Sequence, residues 1–149
     1  MKLKFMSMLC LVAVGILAFA ISGKAAEGKW LTDYDKALAQ AKQENKKVLI
    51  DFTGSDWCPW CIKLHDEVFS KQAFNDYADK NLVLLIIDFP RKKQQTDAEK
   101  KTNEALAQKY GIQGFPTVVV LDSAGKKIGE LGYQPGGPQP FVAELEKLK

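Results

Sequence analysis

Two cysteines separated by two residues, Cys58 and Cys61, are the residues whose types and spacing are best suited to chemistry. Such a pair can bind a metal ion, form a structural disulfide or exchange electrons with other thiols. The structural disulfide is the weakest of these interpretations, because a loop closed over two residues restrains the unfolded chain very little. The metal site and the redox pair remain open at this point, and the surrounding sequence has to distinguish them.

The first 25 residues have the features of a secretory signal peptide. Lys2 and Lys4 supply positive charge, an apolar run follows from Leu9 to Ile21, and small residues suitable for cleavage come next. We therefore expect a signal peptide over residues 1–25 and one domain over 26–149, located in the periplasm or secreted. The alternative is an uncleaved membrane anchor, although the apolar run is short for a spanning helix of about 20 residues.

Removal of this segment changes both the charge and the cysteine count. The segment contains three of the 21 basic residues, none of the 18 acidic residues, and Cys10, so the remaining chain is balanced in charge and keeps two cysteines. A balanced charge gives no argument for nucleic-acid binding. Export favours disulfide chemistry for the remaining pair.

His65, the one histidine, lies about two helical turns beyond Cys58 and is expected to be an ordinary helix residue. A four-ligand zinc site is therefore incomplete, and no metal is predicted.

The cysteines are expected to lie between a strand and a helix. The apolar, β-branched stretch 47–53 ends at a glycine and predicts a strand. The segment 58–69 predicts a helix with Pro59 in its first turn. Upstream, Thr32 is expected to cap a helix that ends near Asn45, and residues 26–31 are expected to be a short lead-in.

The rest of the chain predicts a mixed sheet. A short helix over 71–79, capped by Ser70, precedes an apolar run over 81–89 that is typical of a strand covered on both faces. Thr96 and Glu99 fit a capping box for a helix that stops at Gly111. A β-hairpin and a last helix over 139–148 follow. A right-handed parallel crossover plus this antiparallel hairpin predicts an α/β fold with helices on both faces of one sheet.

Three local motifs coincide with this order of elements. Trp-Cys-Pro-Trp-Cys follows the first strand, Gly-Phe-Pro-Thr precedes the third, and a short strand ending in glycine comes after it. Together they resemble the thioredoxin superfamily over roughly residues 30–149. The chain is especially similar to exported thioredoxin-like proteins and to the C-terminal domain of membrane thiol-reductant transporters. The resemblance implies a thioredoxin fold.

The resemblance also implies roles for individual residues. Cys58 would be the nucleophile, Cys61 the resolving thiol and Asp51 the buried acid beneath them. One more residue separates Asp51 from the motif than in thioredoxin itself, so its role as proton acceptor is an open question. The residues expected to contact the substrate are Trp57, Trp60, Phe115 and Pro116, and Pro116 is expected to be in the cis form.

The resulting expectation is a thiol–disulfide oxidoreductase that acts on disulfide-containing proteins, by attack from Cys58 and resolution by Cys61. A thiolate is the attacking species, and the start of a helix stabilises it. No cofactor is needed because the dithiol carries the electrons, and a membrane electron donor or acceptor is the expected partner. A reductase is preferred, partly because no histidine lies between the cysteines. The alternatives are an oxidase or isomerase, and a non-enzymatic module that binds a metal or a partner. The charged segment 90–101 is longer than in thioredoxin, and its role is open.

Overall fold

The computed structural model describes residues 29–149, so the predicted signal peptide lies outside the described residues. These residues form five strands, five α-helices and one π-helical turn. In chain order they are β1 (Trp30–Leu31), α1 (Tyr34–Glu44), β2 (Lys47–Thr53), α2 (Pro59–Leu64), the π-helical turn (His65–Phe69), α3 (Gln72–Asn81), β3 (Leu82–Asp88), α4 (Asp97–Tyr110), β4 (Thr117–Leu121), β5 (Lys127–Leu131) and α5 (Pro138–Lys147).

The strands form one mixed sheet in the order β1-β3-β2-β4-β5. β3 runs parallel to both β1 and β2, whereas β4 is antiparallel to β2 and to β5. This confirms the predicted combination of a parallel crossover and an antiparallel hairpin. β2 is the central strand, and its Asp51 lies in register with Ile86 of β3 and Val118 of β4.

Alternation along the strands places the core in two layers. Val48, Ile50 and Phe52 of β2 pack in a cluster with Ala37 and Ala41 of α1 and with Leu106 of α4. The opposite face of the sheet contains Leu49 and packs on α3, α5 and the π-helical turn. Because side chains of a strand alternate between its faces, Asp51 lies on the same face as Leu49. That face is covered by the segment that contains the cysteines.

The apolar run of β3 is covered on both faces, as predicted. Leu82 and Leu84 belong to one core cluster, and Val83, Leu85 and Ile87 belong to the other. The capping box of α4 is also present, since the Thr96 hydroxyl accepts from the Glu99 amide while the Glu99 carboxylate accepts from the Thr96 amide.

Three local expectations were wrong. The supposed lead-in contains β1, which pairs with β3. The cap of α1 is Asp33, not Thr32, because the Asp33 carboxylate reaches the Lys36 amide at 3.0 Å. Lys71, not Ser70, precedes α3, because the Ser70 amide closes the π-helical turn onto the carbonyl of His65.

The helix after the cysteines is also less regular than predicted. α2 ends at Leu64 and continues as the π-helical turn, which places both Val68 and Phe69 in the core. Ile62 of α2 is 42% exposed and lies outside the core. No helix within residues 29–149 is long and apolar enough to cross a membrane.

Candidate active site

Cys58 and Cys61 form a disulfide at the start of α2. Cys58 is the N-cap residue of this helix and Pro59 is its first residue, where the missing N–H costs no hydrogen bond. The Cys58 sulfur accepts from the Cys61 amide at 3.3 Å. Both cysteines are 4% exposed in the disulfide form. The two cysteines therefore differ in their position at the helix start, while their exposure as whole residues in the disulfide form is equal.

A tight turn connects β2 to the disulfide. The Gly54 carbonyl accepts from the amides of Trp57 and Cys58 at 3.2 and 2.9 Å. A Cβ atom on Gly54 would lie 2.5 Å from the Trp57 indole, so only glycine fits against this ring.

Trp57 is fixed on several sides. Its indole N–H donates to the Phe89 carbonyl at 2.7 Å, and the Arg91 guanidinium lies 3.6 Å from the ring centroid. Its ring also meets Phe115 edge-on, at 6.1 Å between centroids. Since Phe115 precedes Pro116, this contact joins the two motifs of the sequence analysis. The Phe115–Pro116 bond is cis, as predicted.

The turn is bound to the segment after β3 by two residues that the sequence analysis missed. Asp56 accepts hydrogen bonds from three successive amides, those of residues 91–93, at 2.8–2.9 Å. Ser55 donates to the Asp88 carboxylate from both its amide, at 2.9 Å, and its hydroxyl, at 2.6 Å. No local sequence signal indicates these contacts, because the partners lie 33–37 residues further along the chain.

An apolar groove of about 560 Å³ lies beside the disulfide, lined by Trp60, Lys63, Phe115, Pro116, Tyr133 and Pro135. Trp60 is 55% exposed, and its ring lies 5.2 Å from that of Tyr133. The Tyr133 hydroxyl donates to Glu67 at 2.7 Å, and Lys63 lies within 5.5 Å of both ring centroids. The groove therefore unites three of the predicted contact residues and adds Tyr133, which no motif indicated.

A second cavity, of about 310 Å³, contains both Asp51 and Cys61. Asp51 is 7% exposed, and its Oδ1 atom has no hydrogen-bond partner among residues 29–149. Burial, and secondarily the like charge of Asp88, raises the pKa of Asp51 to about 7. Asp51 and the second cysteine therefore line the same cavity. Within the described residues no group of three or more His, Cys, Asp or Glu is arranged to hold a metal ion.

A disulfide at the start of a helix, next to a central strand and a cis-proline segment, defines the thioredoxin-like class of protein. The comparisons with known proteins agree. The model of the thioredoxin-like domain family matches residues 34–149. The disulfide bond reductase DsbH of Chlamydia pneumoniae is 36% identical over 122 residues, which span 82% of this chain and 73% of that protein.

Two further relatives are informative. A solved structure of a DsbH oxidoreductase is 34% identical, has a TM-score of 0.76, and covers 94% of this chain and 92% of that one. The thiol:disulfide interchange protein DsbD of Pseudoalteromonas atlantica is 33% identical over 100 residues, 67% of this chain and 15% of that protein. The chain belongs to the thioredoxin-like domain family, and it is a thiol–disulfide oxidoreductase.

Proposed function

We propose that the chain reduces disulfides of protein substrates in the periplasm, with Cys58 as the attacking thiol and Cys61 as the resolving thiol. The observation that carries this assignment is the placement of Cys58 as the N-cap of α2, where its sulfur accepts a backbone N–H. Unpaired amides and the helix dipole stabilise negative charge at this position, so the thiolate of Cys58 is favoured once the disulfide is reduced.

The proposed reaction has two exchange steps. The Cys58 thiolate attacks a substrate disulfide, the substrate S–S bond breaks, and the first substrate thiolate leaves and takes up a proton. Cys61 then loses its proton and attacks the Cys58 sulfur. The Cys58–Cys61 bond forms as the second substrate thiolate leaves, so two electrons pass to the substrate.

Asp51 is proposed as the acceptor of the Cys61 proton. It shares a cavity with Cys61, and its pKa of about 7 lies close to neutral pH, where a general base is most effective. Trp57, Trp60, Phe115 and Pro116 are proposed to contact the substrate, because they lie in or beside the groove next to the disulfide.

The direction of electron flow and the location are also part of the proposal. The relative named a disulfide bond reductase supports reduction, and no histidine lies between the cysteines to stabilise the Cys58 thiolate further. Export by the signal peptide over residues 1–25 would require a supply of electrons across the membrane, so a membrane thiol donor is the proposed partner.

Equilibration with glutathione buffers tests the direction. We expect a reduction potential closer to about −270 mV, the value of thioredoxin, than to about −120 mV, the value of a strong periplasmic oxidant. A potential more positive than about −150 mV would contradict the proposed reductase activity and favour disulfide formation.

A second experiment tests the roles of the two cysteines. We expect Cys61→Ser to accumulate mixed disulfides with substrate and Cys58→Ser to form none.

A further inference from the structure

The resolving step poses a problem of proton transfer. Cys61 must release a proton when it attacks, yet Cys61 is 4% exposed and the proposed acceptor, Asp51, is 7% exposed. Asp51 can accept one proton but must lose it again before the next turnover. A route between the cavity and the solvent is therefore required, and the residues that line the cavity define it.

His65 lines this cavity and is itself exposed to solvent. It lies four residues after Cys61 in the same continuous helical segment, and side chains four apart in a helix are neighbours on one face. An imidazole can accept a proton at one nitrogen and donate one from the other. His65 thus combines access to the cavity, access to water and suitable chemistry.

The other basic group of the cavity is less suitable. The Lys93 ammonium lies 3.3 Å from the Ser55 hydroxyl, which in turn donates to the Asp88 carboxylate. An ammonium donates protons in hydrogen bonds but accepts none. Lys93 is therefore tied into a hydrogen-bonded chain that faces the cavity as a fixed positive charge.

We propose that His65 is a proton-transfer residue of the resolving step, which carries protons between the solvent and the cavity shared by Asp51 and Cys61. The proposal rests on the assignment of Cys61 as the resolving thiol. The charged groups that face this path are Asp51 on β2, Asp88 at the end of β3, whose like charge acts on Asp51, and Lys93 on the segment after β3. In the reverse reaction the same path returns a proton to Cys61.

The two steps can be separated with dithiobis(nitrobenzoate), a small aromatic disulfide whose thiolate product absorbs visible light. Stopped-flow mixing with reduced protein gives a first phase when Cys58 attacks and a second phase when Cys61 displaces the remaining nitrobenzoate. In His65→Gln we expect an unchanged first phase and a second phase slowed by about tenfold. General acid–base catalysis is worth about 10²–10⁴-fold, and Asp51 remains to supply part of it.

Proton transfer, unlike a structural role, can be restored from solution. Free imidazole should accelerate the second phase of His65→Gln and leave the wild-type protein unaffected. The pH profile of that phase should change in the variant, whereas the profile of the first phase should not. Asp66→Asn is the matched control, because it alters an adjacent exposed residue and should react as the wild type does.

The failures are distinguishable. Three outcomes would overturn the role of His65 alone. They are a second phase of normal rate in His65→Gln, a slowed second phase that imidazole does not accelerate, and a second phase slowed equally in Asp66→Asn. Cys61→Ser tests the underlying assignment and should abolish the second phase. A second phase that persists in Cys61→Ser would overturn both the role of Cys61 and that of His65.

Discussion

At the scale of single residues, Asp51 shows how one position on a strand determines chemistry. The alternation of β2 directs its carboxyl group to the face covered by the cysteine segment, where it is buried beside Cys61. Burial penalises the charged form, and Asp88 adds a like charge, so the pKa of Asp51 rises to about 7. The group is thus able to change protonation state at the pH at which thiols exchange.

The raised pKa predicts a pH-dependent stability. Between pH 4 and pH 7 the folded state keeps the proton of Asp51 and the unfolded state releases it, so the free energy of unfolding falls as pH rises. The shift corresponds to about 4 kcal/mol at pH values above 7. Asp51→Asn cannot ionise, so its stability relative to the wild type should increase across this range and level off above pH 7.

Urea denaturation of the oxidised proteins at a series of pH values measures this difference. The oxidised form is used because its cysteines do not titrate. Asp79→Asn, which removes an exposed carboxylate from α3, is the control and should follow the wild-type curve. Parallel curves for wild type and Asp51→Asn would contradict the prediction.

At the scale of elements, the site depends on the connection between the β2–α2 turn and the segment after β3. Asp56 holds three amides of that segment, and Arg91 within it stacks on Trp57. These hydrogen bonds, with the positive charge of Lys93 nearby, hold the pKa of Asp56 below its usual range. The charged segment after β3 therefore forms one wall of the site.

Asp56→Ala should loosen the attachment of the segment after β3 to the β2–α2 turn. We expect faster hydrogen exchange at the amides of residues 91–93 and a lower Tm, because the three backbone donors lose their acceptor. Amide exchange followed by mass spectrometry locates the change. Glu104→Ala on α4 serves as a control for loss of an exposed acidic side chain, and exchange that changes equally in both variants would argue against a specific role for Asp56.

At the scale of the whole molecule, the side of the sheet that carries the disulfide is held by an aromatic cluster. Phe141 of α5 meets Phe69 of the π-helical turn at 5.6 Å and Phe74 of α3 at 6.2 Å between ring centroids. Phe69 also lies 5.1 Å from Trp30 of β1. The cluster connects the C-terminal helix to the segment that follows the cysteines.

Phe141→Ala should therefore destabilise the domain strongly. Phe141 is fully buried, and removal of such a ring costs about 3–5 kcal/mol through lost burial and the cavity left behind. Chemical denaturation gives the value. Val142→Ala, at a half-buried position of the same helix, should lower the free energy of unfolding clearly less. Similar decreases for the two variants would show that the aromatic cluster does not contribute more to stability than other positions of α5.

The sequence alone predicted the elements that local physics controls. The cysteine spacing alone left a metal site and a redox pair open, and the resemblance to the thioredoxin superfamily favoured the redox pair that the disulfide shows. Apolar runs predicted the long strands, and the Thr96–Glu99 pair predicted the start of α4. Each signal arises from neighbours within a few residues. Where two capping residues are adjacent, as with Thr32 and Asp33, the sequence did not identify the cap, and α3 begins after Lys71 with no side-chain cap.

Only the tertiary structure decided which distant groups meet. Several contacts join parts of the chain that the sequence leaves unrelated or ambiguous. They are the pairing of β1 with β3, the three amides bound by Asp56, the Trp60–Tyr133 contact and the shared cavity of Asp51, Cys61 and His65. The pKa of Asp51 belongs to this group as well, because desolvation depends on everything packed around the carboxyl group. Local patterns specify elements, whereas burial and charge at a site arise when those elements pack together.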